Sequence, residues 1–178
     1  IALANLQMKT TDEKNTDNFY SAEGVLDQIC TGLEGDMSAA YTEGYSKVMQ
    51  SYKTKGNAEN NEANRQASFV NTYVAALRSR LVDPGDAKGL TYSMDKIKGY
   101  VDSSLSKTDS SGKPVYPHAE VTSVSTPQLK TYQNRTVLEG IKVEFTDEKG
   151  YKSIIQTDIS LSVPTMSFTA SGGVPELF

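Results

Sequence analysis

The side chains able to do chemistry are few and scattered. His118 is the only histidine and Cys30 the only cysteine in 178 residues. A multi-histidine metal site is therefore excluded, and any catalytic triad would have to use His118. A His–Cys pair would need two distant segments brought together. His118 follows Pro117 at the head of an alternating segment, which suits a surface residue at a strand start. Cys30 falls in helical register with Leu26, Leu33 and Met37, the setting of a small buried hydrophobe rather than of an activated thiol. A lone cysteine forms no disulfide within the chain, and this leaves the redox compartment open.

The acidic and sequon-like motifs are equally bland. Asp83-Pro84-Gly85-Asp86 has the composition of a calcium loop but not the ligand spacing of an EF-hand, and a helix-ending turn accounts for it. Asp147-Glu148 reads as hairpin-turn chemistry. Asn134-Arg135-Thr136 fits the N-glycosylation acceptor pattern, which arises often by chance. No phosphate-binding loop or dinucleotide fingerprint is present. No catalytic, cofactor-binding or metal residue is assigned, no cofactor is expected, and the chain reads as non-enzymatic. The 18 basic and 22 acidic residues are interspersed, for a net charge of -4. Nucleic-acid binding would need a basic stripe instead. Nothing approaches the ~20 consecutive apolar residues of a membrane helix.

The elements that would carry these residues begin with a helical stripe. Phe19, Ala22, Leu26, Ile29, Leu33, Met37, Tyr41, Val48 and Tyr52 recur mostly at steps of three and four. Upstream, Gln7 to Asn18 is polar and reads as a solvated continuation, so residues 1–52 are expected to form a helical spine. Gly24, Gly32, Gly35 and Gly44 each cost about 1 kcal/mol against Ala in a helix, yet the apolar phase survives all four, so one long helix is expected, with room for a kink near Gly32 to Gly35. Residues 53–62 read as a loop. Phe69, Tyr73, Leu77 and Leu81 predict a second helix from about Asn64 to Leu81, and Leu90, Met94, Ile97, Val101 and Leu105 a third from about Thr91 to Leu105. Residues 64–105 thus form a helical region. The period then falls to two: Ile141, Val143 and Phe145, a turn at Asp147 to Gly150, then Ile155, Thr157, Ile159, Leu161 and Val163, which is a hairpin. Earlier strands are expected at Ala119 to Ser125 and at Gln128 to Tyr132, giving an antiparallel sheet over 119–163. The fold class is α+β in a single domain, 1–178, with helices first and an antiparallel meander after.

One stretch resembles a known family. Asn5 to Met8, the polar Asn15 to Asn18, and Tyr20-Ser21-Ala22-Glu23-Gly24-Val25-Leu26 are similar to the segment that follows the membrane helix in PilX-type minor pilins and related pilin-like proteins. The element there is aromatic–x–Ala–Glu–Ala/Gly–x–Leu, and the apolar Ile1 to Leu6 sits where a membrane helix would end. Cleaved signal-peptide residue is the other reading of that apolar start. The resemblance covers about the first 30 residues and implies a pilin-like fold. It also implies a subunit or assembly factor of a type IV pilus or secretion filament, held at the bacterial cell surface by a membrane segment preceding residue 1. Partners would be other pilin-like subunits or assembly proteins. The disulfide common near pilin C-termini cannot form with Cys30 alone. The alternative is the ligand-binding ectodomain of a membrane-anchored sensor, which expects a tyrosine-lined pocket on the sheet.

Overall fold

The structure is a computed structural model, and it describes residues 6–12, 21–54, 61–164, 166–167 and 176–177. The expectations placed on residues 1–5, 13–20, 55–60 and 168–175 lie outside these. The order is β1 (Leu6–Asp12), α1 (Ala22–Thr54), α2 (Glu62–Leu81), α3 (Met94–Gly99) and a 3-10 turn at Ser103–Ser106. Then follow β2 (His118–Thr131), β3 (Arg135–Thr146), β4 (Lys152–Ser162), β5 (Met166–Ser167) and β6 (Glu176–Leu177). The class is α+β, with a long first helix, further helices and an antiparallel sheet, as the change of period predicts.

α1 is one unbroken helix of 33 residues, roughly 50 Å long. Its buried face is Val25, Leu26, Ile29, Leu33, Met37, Tyr41 and Val48. The helix continues through Gly32 to Gly35, and two of the four glycines explain themselves by what lies over them. A Cβ on Gly32 would enter the ring of Tyr100, and one on Gly44 would come within 2.8 Å of the Phe69 ring. These glycines are recesses that admit neighbouring aromatic side chains, so their cost in helix propensity is offset by packing.

The helical spine over residues 1–52 is corrected at its front. Leu6–Asp12 is a strand, pairing antiparallel with β4 from Leu6 opposite Leu161 to Asp12 opposite Ile155. Leu6, Met8 and Thr10 are thereby set against Leu161, Ile159 and Thr157, all three buried on β4. A solvated helix of this composition has little to hold it in place, whereas an open sheet edge offers a full ladder of backbone hydrogen bonds.

α2 begins at Asn61, whose side-chain oxygen accepts from Asn64 N at 2.9 Å, and packs along α1 through Phe69, Tyr73, Leu77 and Leu81. The third helix is shorter than its periodicity predicts. Thr91 and Tyr92 are drawn into β-bridges with Gln128 and Val82, Ser93 caps α3, and the chain re-enters helical geometry only as a 3-10 turn capped by Asp102. The apolar spacing survives because Ile97 and Leu105 still reach the core.

Sheet order is β1-β4-β3-β2, antiparallel throughout. The two strands expected before residue 132 are one. β2 runs through Ser125 to Pro127 with a register shift between Ser123 and Gln128, matched by a shift on β3 between Leu138 and Ile141. Gly140 occupies that second irregularity at φ +72, where a glycine is favoured, and its N–H donates to Asp158 Oδ1 at 2.8 Å. The sheet's share of the core includes Val121, Leu138, Val143, Phe145, Ile155 and Ile159, and the opposite face carries Lys130–Glu139 and Lys152–Glu144 ion pairs. This is the one-faced burial that period-two alternation specifies. β5 pairs with β6 and lies against α2.

Candidate functional site

Cys30 and the turn aspartates are built into their own elements. Cys30 is buried inside α1, and its thiol is pushed up to about 11 by burial first and then by the nearby Asp27 and Glu34. A nucleophilic cysteine needs the opposite environment. At pH 8 only about a thousandth of such a thiol is ionised. Disulfide reagents are therefore expected to label the native protein at least a hundredfold more slowly than a free thiol, and to label it fully in urea. The same shift has a stability consequence. The native thiol keeps its proton where the unfolded one releases it, so its contribution is complete below about pH 8.5 and is lost as pH rises toward 11. Burial also raises Tyr41, Tyr73, Tyr92 and Tyr100, which act in the same direction at higher pH. Urea midpoints are expected to fall progressively above about pH 9. A midpoint flat to pH 11 would contradict this.

His118 is the first residue of β2, as expected, but it is half-buried and not a surface residue: its ring lies edge-on to Tyr116 at 6.5 Å between centroids, and its Nδ1 is buried without a hydrogen-bond partner among the described residues. Asp83 and Asp86 are used by their own turn. Asp83 Oδ1 accepts from Gly85 N, while Asp86 accepts from Lys88 N, Leu90 N, Thr91 N and Thr91 Oγ1. Those bonds, the Thr91 hydroxyl foremost, hold the Asp86 carboxyl below its ordinary range. Asp147 likewise accepts from Lys149 N and Tyr151 N within the β3–β4 turn. The sequon threonine, Thr136, is 1% exposed within β3. Among the described residues no group of three His, Cys, Asp or Glu side chains could hold a metal ion, and no helix is long and apolar enough to cross a membrane.

The surface hollows lie elsewhere. On the solvent face of the sheet, where both strands lose register, a hollow of about 330 Å³ is lined by Val124, Ser125, Glu139, Gly140, Gln156, Thr157 and Asp158. Among the described residues no tyrosine lines it.

The larger hollow, about 1000 Å³, runs beside α2. The sequence predicts α2 from a single stripe, Phe69, Tyr73, Leu77 and Leu81. A second stripe exists: Ala63, Ala67, Val70 and Val74 step by four, three and four residues and share a face adjoining the core. Tyr132 and Gln133 wall the end nearest Arg78. Arg78 is fixed there by hydrogen bonds to the Thr131 hydroxyl and the Gly89 carbonyl. Arg135 stacks its guanidinium 4.7 Å from the centre of the Tyr132 ring. Among the described residues no carboxylate pairs with Arg78 or Arg135. Among the described lining residues, one end of the hollow is thus aromatic and cationic, and the other carries Ala63 and Ala67.

No protein-family model, curated protein or solved structure matches the chain.

Proposed function

We propose that this chain is the non-enzymatic extracytoplasmic portion of a pilin-like protein, a subunit or assembly factor of a type IV pilus or secretion filament. The observation that carries this reading is the head of α1. There Ala22 and Leu26 are buried while Glu23 is exposed, and the helix so begun lies across the buried face of an antiparallel sheet. Small and apolar positions of the Ala-Glu-Gly-x-Leu element let the helix seat closely, and the acid stays in water. The backbone N–H of Ala22 donates to Ser153 Oγ at 3.3 Å, tying that head to β4. The reading also takes account of β1. β1 stands before α1 as a strand at the sheet edge.

The test uses the full gene product with its native upstream sequence in its source cells. The protein is expected in the membrane or sheared-surface fraction and to be cut by protease added outside intact cells. Recovery in the cytosolic fraction, protected from that protease, would end the proposal.

A further inference from the structure

We propose that the α2 face along the large hollow is a two-fold contact, and that its occupant is α2 of a second copy of this chain, running antiparallel. The inference stands apart from the filament reading. A contact that is isologous closes on itself and does not propagate a filament.

Three features of the face point to this occupant. The first is size. In the antiparallel register that sets Val70 against Asn71 of the second copy, Ala67 meets Val74, Ala75 meets Gln66 and Ala63 meets Arg78. Each of these last three pairs places alanine against a longer side chain, so ridges of one helix enter recesses of the other. A parallel register would instead set Val70 on Val70 and leave alanine facing alanine.

The second is the outline of the hollow. Among the described lining residues, Tyr132 and Gln133 lie at the Arg78 end, where the Arg78 side chain bonds to Thr131. Reversal of the second copy sets its Ala63 end against that aromatic end, and the same happens at the other end by symmetry. A parallel copy would bring the two aromatic ends together.

The third is charge. Glu62 lies in the first turn of α2 and Arg78 in its last. Antiparallel pairing puts Glu62 of each copy beside Arg78 of the other and aligns the helix dipoles favourably. The stripe is also exposed enough to be reached, with Ala63, Ala67 and Ala75 all open to solvent.

The 178-residue chain is tested by sedimentation over a concentration series. The average mass is expected to rise from 19.4 kDa toward twice that value as concentration increases. Ala67→Glu, on an exposed position, is expected to leave the far-ultraviolet spectrum unchanged and raise the dissociation constant at least about tenfold. Orientation is read by oxidising two single variants, Ala67→Cys and Val74→Cys. The mixture is expected to give a crosslinked dimer carrying one of each, with little from either alone, and buried Cys30 is common to every sample. A mass that stays monomeric to about 1 mM overturns the proposal, as does a dimer indifferent to Ala67→Glu. Crosslinking of Ala67→Cys with itself as efficient as in the mixture overturns it too, because that is the parallel pairing.

Discussion

Gly32→Ala is expected to destabilise the protein by about 3 kcal/mol, although alanine is the better helix former. The added Cβ would fall within the Tyr100 ring, 2.7 Å from Cε1 and closer still to Cγ and Cδ1. A ring face has no flexible end to swing aside, so Tyr100 must leave its seat. Overpacking of this kind costs about 1–3 kcal/mol. Leaving also breaks the Tyr100 hydroxyl's hydrogen bond to Asp36 Oδ2, and a bond to a charged acceptor contributes about 1.5–3 kcal/mol. Against these stands a propensity gain of about 1 kcal/mol. Asp36 is the anchor of α3 on α1, since Lys96 Nζ reaches its other oxygen at 3.1 Å and Arg80 approaches at 3.9 Å. For a chain of this size the melting temperature should fall by roughly 6–12 °C. Gly35→Ala is the control, because nothing lies within 4 Å of its would-be Cβ. It should stabilise by about 1 kcal/mol. In a Tyr100→Ala background the cost of Gly32→Ala should vanish. Equal melting temperatures for the two glycine variants would refute the packing account.

Phe69→Ala is expected to cost still more, about 4 kcal/mol, measured as a lowered urea midpoint at unchanged slope. Phe69 is fully buried between α1 and α2. Its ring occupies the recess at Gly44, meets Tyr41 edge-on at 5.5 Å and stacks on Tyr73 at 6.0 Å. A recess lined by backbone cannot collapse to fill the space, which places the loss toward the upper part of the usual range for such truncations. Tyr73→Phe is the informative neighbour. The Tyr73 hydroxyl is buried without a hydrogen-bond partner among the described residues, so its removal should be neutral or stabilising. A large loss from Tyr73→Phe together with a small one from Phe69→Ala would invert this picture of the α1–α2 seam.

What could be read from sequence follows the range of the interactions involved. The β3–β4 hairpin was legible because its register and its turn are local, and Asp147 closes the turn with side-chain bonds to residues two and four positions on. α2 was legible for the same reason, through an apolar stripe at helical spacing, although its cap, Asn61, lies inside the segment expected to be loop. The α1 glycines were misread as weak points because Tyr100 lies 68 positions from Gly32, and no local pattern shows a ring that arrives from so far away. β1 left a faint trace. Leu6, Met8 and Thr10 alternate with Gln7, Lys9 and Thr11, but the charged stretch that follows made the whole segment look like a solvated helix. β1 depends on the β4 edge being free to receive it, which is a tertiary fact. The second stripe of α2 consists largely of alanines, whose small side chains carry no periodic hydrophobic signal of their own.

β1 also sets how the head would bear load. Its pairing with β4 places Leu6 opposite Leu161, so the chain enters β1 and leaves β4 at the same end of the sheet. Tension applied between those two points opens the pair like a zip, one backbone hydrogen bond after another. Tension applied from residue 6 to the far end of the sheet, where β3 turns into β4, instead loads the whole ladder together in shear. The same strand is thus a weak clasp against one direction of pull and a strong one against the other. Which of the two the protein meets depends on where its partners grip it.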